Sequence, residues 1–180
     1  MKKKLPATTR EYLDDVKSRH TGTHSPEQEE LFKQVGRLVV GLSEVEHYLA
    51  IAYLSLNFES DLDNAAKRYF SLRFDERLAA IGELLEADPS WEIDIDVWRE
   101  FKGFLTRQKT IRNLVSHQRP SEARAILVPT WLLKNTRGRT LTAEEIKDAA
   151  DEVEALEQMA RRLCVNLGAN DGVMGGWEPK

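Results

Sequence analysis

Apolar residues recur at helical spacing through most of this chain. Leu31, Val35, Leu38, Leu42, Val45, Leu49, Ala52 and Leu56 follow one another at steps of four and three, which puts them on one face of a single long helix. Phe32, Val39 and Tyr53 make a shoulder beside that seam, as expected of a helix with more than one neighbour. Ser25 is a capping residue, Pro26 suits the first helical position and Gln28 closes a capping box, so the start is sharply marked. The seam carries this helix to about Asn57. Residues 61–70 read as a short helix and residues 75–87 as another, with Leu78, Ile81, Leu84 and Leu85 turned inward and Pro89 beyond the end. A fourth helix begins near Ile95. Val97, Phe101, Phe104, Ile111 and Val115 keep the four-three step, Gln108 takes the remaining slot, and the helix is expected to stop before Pro120. Thr142 and Glu145 form a further capping box, after which Ile146, Ala149, Val153, Leu156, Ala160, Leu163 and Leu167 run on to Gly168.

The stretch 124–141 breaks this pattern. Residues 125–133 are apolar and partly β-prone, residues 134–139 are rich in turn formers, and Thr140-Leu-Thr follows. This reads as a small β-hairpin insert, with Pro129 confined to an edge or irregular position. Residues 1–24 read as a polar arm with at most a short helix near 9–19, and residues 169–180 as a loose tail. The expected fold is therefore all-α: an antiparallel bundle of four to five helices over residues 25–168, with the insert before the last long helix.

Composition narrows the function classes. A chain of 180 residues with 41% hydrophobic and 31% charged residues suits one soluble globular domain. No apolar run approaches the roughly 20 residues that cross a bilayer, so no membrane association is expected. The basic start at Met1–Lys4 leads into Leu5-Pro6 rather than an apolar stretch, unlike a secretory leader. The lone Cys164 excludes an internal disulfide and suits a reducing cytoplasm. His20 and His24 stand four apart, but Gly22 and two threonines disfavour a helix there; neither a metal site nor a cofactor is expected. The net charge of −4 excludes a uniformly basic nucleic-acid binder. Yet residues 99–139 hold ten basic and two acidic residues, a local +8 on a body of −12. Such a surface attracts an anionic ligand such as RNA. The alternative is a solvated face whose lysines and arginines pair with acids of neighbouring helices.

The chemistry concentrates at the end of the fourth helix, in Ile111-Arg-Asn-Leu-Val-Ser-His117. Arg112 and His117 are five apart, so on a regular helix they diverge by roughly 140°. They converge only if the helix loosens near His117 or if two chains meet. Asn113 shares a face with His117 and can orient its ring. A histidine can move the proton of a 2′-hydroxyl near neutral pH, and an arginine fork can hold phosphoryl oxygens as charge builds. These residues suit phosphodiester cleavage without a metal. They equally suit a histidine at the favourable end of a helix dipole beside an arginine paired with an acid elsewhere. Ser116-His117 lacks a third member, which disfavours a hydrolase triad.

The run Arg112-Asn-Leu-Val-Ser-His117 resembles the signature of the HEPN superfamily: an arginine, a polar residue, a short spacer and a histidine. Val35–His47 is similar to the first HEPN helix, which often carries an acid near its middle, and Phe74–Leu85 is similar to the helix before the motif. The resemblance spans roughly residues 27–165 as architecture, with only the six-residue motif specific. It implies a helical bundle that forms a homodimer, joins two motifs in one cleft and cleaves RNA without metal, as a toxin or phage-defence effector with an antitoxin or other regulatory partner. It also implies His117 as general acid/base, Arg112 as phosphate ligand, Asn113 as orienting residue, and Glu46, or less well Glu44, as the first-helix acid that positions Arg112. Arg107, Lys109 and Arg119 are further candidates for RNA contact. In the insert, Trp131 could stack a base while Lys134, Arg137 and Arg139 meet phosphates; the plainer reading puts Trp131 in the core and the tip in solvent. The rival class is a non-catalytic helical adaptor or nucleotide/RNA-binding module of the same fold.

Overall fold

The computed structural model describes residues 25–57, 61–88, 93–120, 126–129 and 139–168. The order is α1 (Pro26–Leu56), α2 (Leu62–Ser71), α3 (Phe74–Ala87), α4 (Ile95–Ser116), β1 (Gln118–Pro120), β2 (Ile126–Pro129), β3 (Leu141–Thr142) and α5 (Ala143–Asn166). The all-α expectation holds, with five helices among the described residues. The proposed arm 1–24, the tail 169–180 and the insert's tip lie outside them.

The helix starts follow their capping chemistry. Ser25 Oγ accepts from the Gln28 N–H while Gln28 Oε1 accepts from the Ser25 N–H, and Thr142 and Glu145 repeat the arrangement at α5. Asp61 caps α2 by accepting from the Asn64 N–H at 3.1 Å. Each cap satisfies donors that the first turn leaves without an intrahelical acceptor.

The seams of α1 and α5 bury as their periodicity requires: Leu31, Leu38, Val45, Ile146 and Val153 are fully inaccessible. The phase of α4 is different from the expected one. Val97 and Phe104 are 48% and 38% exposed, whereas Trp98 and Leu105 join Phe101, Gln108 and Val115 in the core. Both phases share residues 101, 108 and 115, so the apolar spacing alone does not separate them. The Trp98 ring decides it. It stacks on Phe101 at 5.5 Å and fills the notch at Gly82 of α3, where a β-carbon would fall 2.8 Å from Trp98 Nε1.

Helix directions follow from the pairs that meet. Arg99 pairs with Glu86 and Lys109 with Asp75, so α3 and α4 are antiparallel. Trp98 and Phe101 lie near Ala160 and Leu163, while Arg107 meets Glu152, so α4 and α5 are antiparallel too. The closing pair is not. Arg37 pairs with Asp151 and Glu154, and Cys164 donates to the Tyr48 carbonyl at 3.1 Å. Thus α1 and α5 run parallel, and they form the most extensive helix contact.

The sheet has one strand more than a hairpin, because β1 joins it from before the expected insert. β2 pairs antiparallel with β3 through Ile126↔Thr142 and Leu127↔Leu141, as expected. β1 then adds on the other side, Gln118 opposite Pro129 and Pro120 opposite Leu127. Pro120 therefore stands on an edge strand and Pro129 beyond the β3 pairing, positions where a missing N–H breaks no ladder on the β3 side. Leu127 and Leu141 anchor the sheet to the core.

Candidate active site at the end of the fourth helix

Arg112 owes its place to the phase of α4. Trp98, Phe101, Leu105 and Gln108 descend the core face, and three-four stepping carries that face on to residues 112 and 115. A cation at a core-facing slot requires an acid. Glu46 of α1 supplies it, its Oε1 3.5 Å from Arg112 Nη2, with both side chains about one-third exposed. This is the contact implied for Glu46; Glu44 is exposed on another side of α1. Arg112 Nε is buried and has no hydrogen-bond partner among the described residues.

His117 is exposed and ends the helix. Its φ of −109° and ψ of 12° leave helical geometry, and its N–H bonds to the carbonyls of Leu114 and Val115. The backbone thus leaves the regular spiral at His117 itself. Asn113 is exposed, and its carbonyl accepts from Ser116 Oγ at 2.8 Å.

Among the described residues, Arg107, Lys109 and Arg139 do not gather into one patch. Arg107 turns toward α5, meets Glu152 at 3.5 Å and stacks over Phe104 at 4.7 Å. Lys109 turns the other way, to Asp75 of α3 at 3.1 Å and the Phe74 ring at 4.4 Å. Arg139 pairs with Glu145, and its carbonyl accepts from Gln118 Nε2 at 2.6 Å. Arg119 sits on β1 opposite Val128. Trp131, Lys134 and Arg137 lie outside the described residues. In much of the +8 window, the described cations are therefore answered by acids, four of them from other helices. This is the solvated, paired surface named as the alternative.

Two features escaped the sequence reading. The first is Arg77, whose Nη1 stands 3.7 Å from the other oxygen of Glu46. Its Nε donates to the carbonyls of Tyr69 and Leu72 at 3.1 and 3.0 Å, and its Nη2 to that of Phe70 at 3.2 Å. Arg77 thereby closes the C-terminus of α2, the end a cation favours. The nearby Tyr69 hydroxyl is held well above the usual phenol range, chiefly by burial. The second is a groove of about 640 Å³ between α1 and α2, walled by Ile51, Leu54, Leu62 and Phe70, with Glu46 and Arg77 among its lining residues. Only the tertiary pairing of two helices creates it.

Among the described residues, no group of three or more histidines, cysteines or acids could hold a metal ion, and no helix is long and apolar enough to cross a membrane. No protein-family model matches the chain, and neither a curated protein nor a solved structure does.

Proposed function

We propose that this chain is a metal-independent endoribonuclease of the HEPN type, active as a homodimer and suited to a toxin or defence role under a regulatory partner. The observation that carries the reading is the Arg112–Glu46 pair at the core-facing end of α4, five residues before a histidine that terminates the helix in solvent. In this reading Arg112 holds the non-bridging oxygens of the scissile phosphate. His117 takes the 2′-hydroxyl proton, O2′ attacks phosphorus, and the P–O5′ bond breaks to leave a 2′,3′-cyclic phosphate. The 5′-oxygen regains a proton from an imidazolium, which His117 of a second copy provides when two motifs share a cleft.

The test is cleavage of mixed RNA in EDTA by the wild type, Arg112→Ala and His117→Ala, with the product ends examined. Cyclic phosphate ends are expected, with loss of about 100-fold or more in His117→Ala and a comparable loss in Arg112→Ala. Folded wild type that cleaves none of several RNAs overturns the reading. A second reading, a non-catalytic binding module, is favoured by the α1–α2 groove, whose volume and apolar walls fall in the range of ligand sites. Stable expression without growth inhibition supports that alternative.

A further inference from the structure

The carboxylate of Glu46 is shared between two guanidinium groups. One oxygen faces Arg112 at 3.5 Å and the other faces Arg77 at 3.7 Å. Arg77 is the least exposed of the three, at 19%, and it is the most firmly held. Three carbonyls at the end of α2 accept from it, and it lies over the rings of Tyr69 and Phe70 at 5.1 and 5.5 Å. Among the described residues Arg112 has no such anchorage: its Nε lacks a hydrogen-bond partner there, and Glu46 is the acid that meets it.

We infer that Arg77 is a positioning residue that acts on Arg112 through Glu46. The catalytic consequence rests on the ribonuclease reading above; the structural relay does not. Two physical effects follow from the arrangement. A glutamate side chain has several rotamers, and a fixed cation on one oxygen selects those that leave the other oxygen toward Arg112. Sharing also sets the charge. Glu46 alone would neutralise Arg112, whereas two guanidiniums around one carboxylate retain a net +1 that an anionic phosphate can meet. The C-terminus of α2 would thus orient the phosphate ligand at the end of α4, with Glu46 of α1 as the intermediary.

The experiment uses the full chain as wild type, Arg77→Met, Arg77→Lys, Glu46→Gln and the Arg77→Met/Glu46→Gln double variant. Asp61→Ala is the control, because it loosens α2 at its other end by removing the cap on Asn64 without touching Glu46. One readout is the Nε–Hε resonance of Arg112 in arginine-labelled protein, assigned with Arg112→Lys. The other is KM and kcat for RNA cleavage. Arg77→Met is expected to move the Arg112 resonance and raise KM about tenfold, the effect of one weakened charge-assisted contact, with partial recovery in Arg77→Lys. In the Glu46→Gln background it should add nothing. Asp61→Ala should leave the resonance and KM in place whatever it does to melting. The inference is overturned if the resonance ignores Arg77→Met, if Asp61→Ala moves it equally, or if the two variants simply add. Wild type that cleaves no RNA defeats the ribonuclease reading alone, and the resonance then decides the relay.

Discussion

Replacing Gly41 with alanine sets two opposed effects against each other at the contact between α1 and α5. A β-carbon on Gly41 would fall 2.6 Å from Cγ1 of Val153 and 3.8 Å from its Cβ. Val153 is fully buried and, being β-branched on a helix, is nearly confined to one rotamer, so it cannot swing clear. Alanine in place of glycine favours the helix by about 1 kcal/mol. Overpacking a filled core costs about 1–3 kcal/mol. Taking about 2 kcal/mol for the clash, Gly41→Ala should destabilise the protein by about 1 kcal/mol, or about 0.5 M in urea midpoint at a slope of roughly 2 kcal/mol/M. Val153→Ala alone should cost about 2 kcal/mol in lost burial and cavity. In the double variant the clash is gone and the helix gain survives. Its loss should fall short of the sum of the singles by about 2 kcal/mol, a coupling that urea melts of the four proteins would measure. Additivity within about 0.5 kcal/mol, or a Gly41→Ala protein more stable than wild type, would refute the close parallel approach of α1 and α5.

Four further outcomes follow from the same geometry. Gln108 is 1% exposed, its Nε2 donates to Glu152, and its Oε1 has no partner among the described residues; Gln108→Met should raise stability by about 1 kcal/mol in urea melts, and a fall would mean that the oxygen is satisfied. Burial pushes the Cys164 thiol up from 9.0 to about 11, so native protein should resist thiol reagents at pH 8 and react only when urea opens it. Because the unfolded chain ionises first, this thiol should make stability fall as pH rises from about 9 toward 11, a slope that Cys164→Ala should flatten in pH-resolved melts. Thr142→Ala removes the acceptor for the Glu145 N–H at 3.1 Å and should cost about 1 kcal/mol in thermal or urea melts, with Thr142→Ser restoring most of it.

What was legible in the sequence was local or periodic. Ser25, Asp61 and Thr142 cap helices through atoms three residues away, so short windows contain the whole cause. The α1 and α5 seams bury because one apolar phase dominates each, Val39 of the α1 shoulder being left 40% exposed. α4 has two, since Val97, Trp98, Phe104 and Leu105 are all apolar. Choosing between them requires knowing that Gly82 of α3 opens a notch for Trp98, a fact about a neighbouring helix. The third strand, β1, was missed for a related reason: three residues ending in proline carry no period of their own and become a strand only because β2 lies beside them.

Charge shows the same limit from the opposite side. The excess of ten cations over two acids in residues 99–139 is real as a count, yet it does not describe a surface. α4 lies between acid-bearing helices, so Arg107 and Lys109 leave on opposite flanks toward Glu152 and Asp75. Arg112 differs from both. Its slot follows from the core phase of α4, not from proximity in sequence to other cations, and a partly buried guanidinium at such a slot is stable only beside a carboxylate. Glu46 is that carboxylate, and it in turn meets Arg77. The six-residue motif therefore draws its physical meaning from residues 66 and 35 positions upstream of Arg112, on two other helices. A reading of the motif alone finds an arginine and a histidine. The fold adds the acid that holds the arginine and the second cation that keeps this acid from cancelling it.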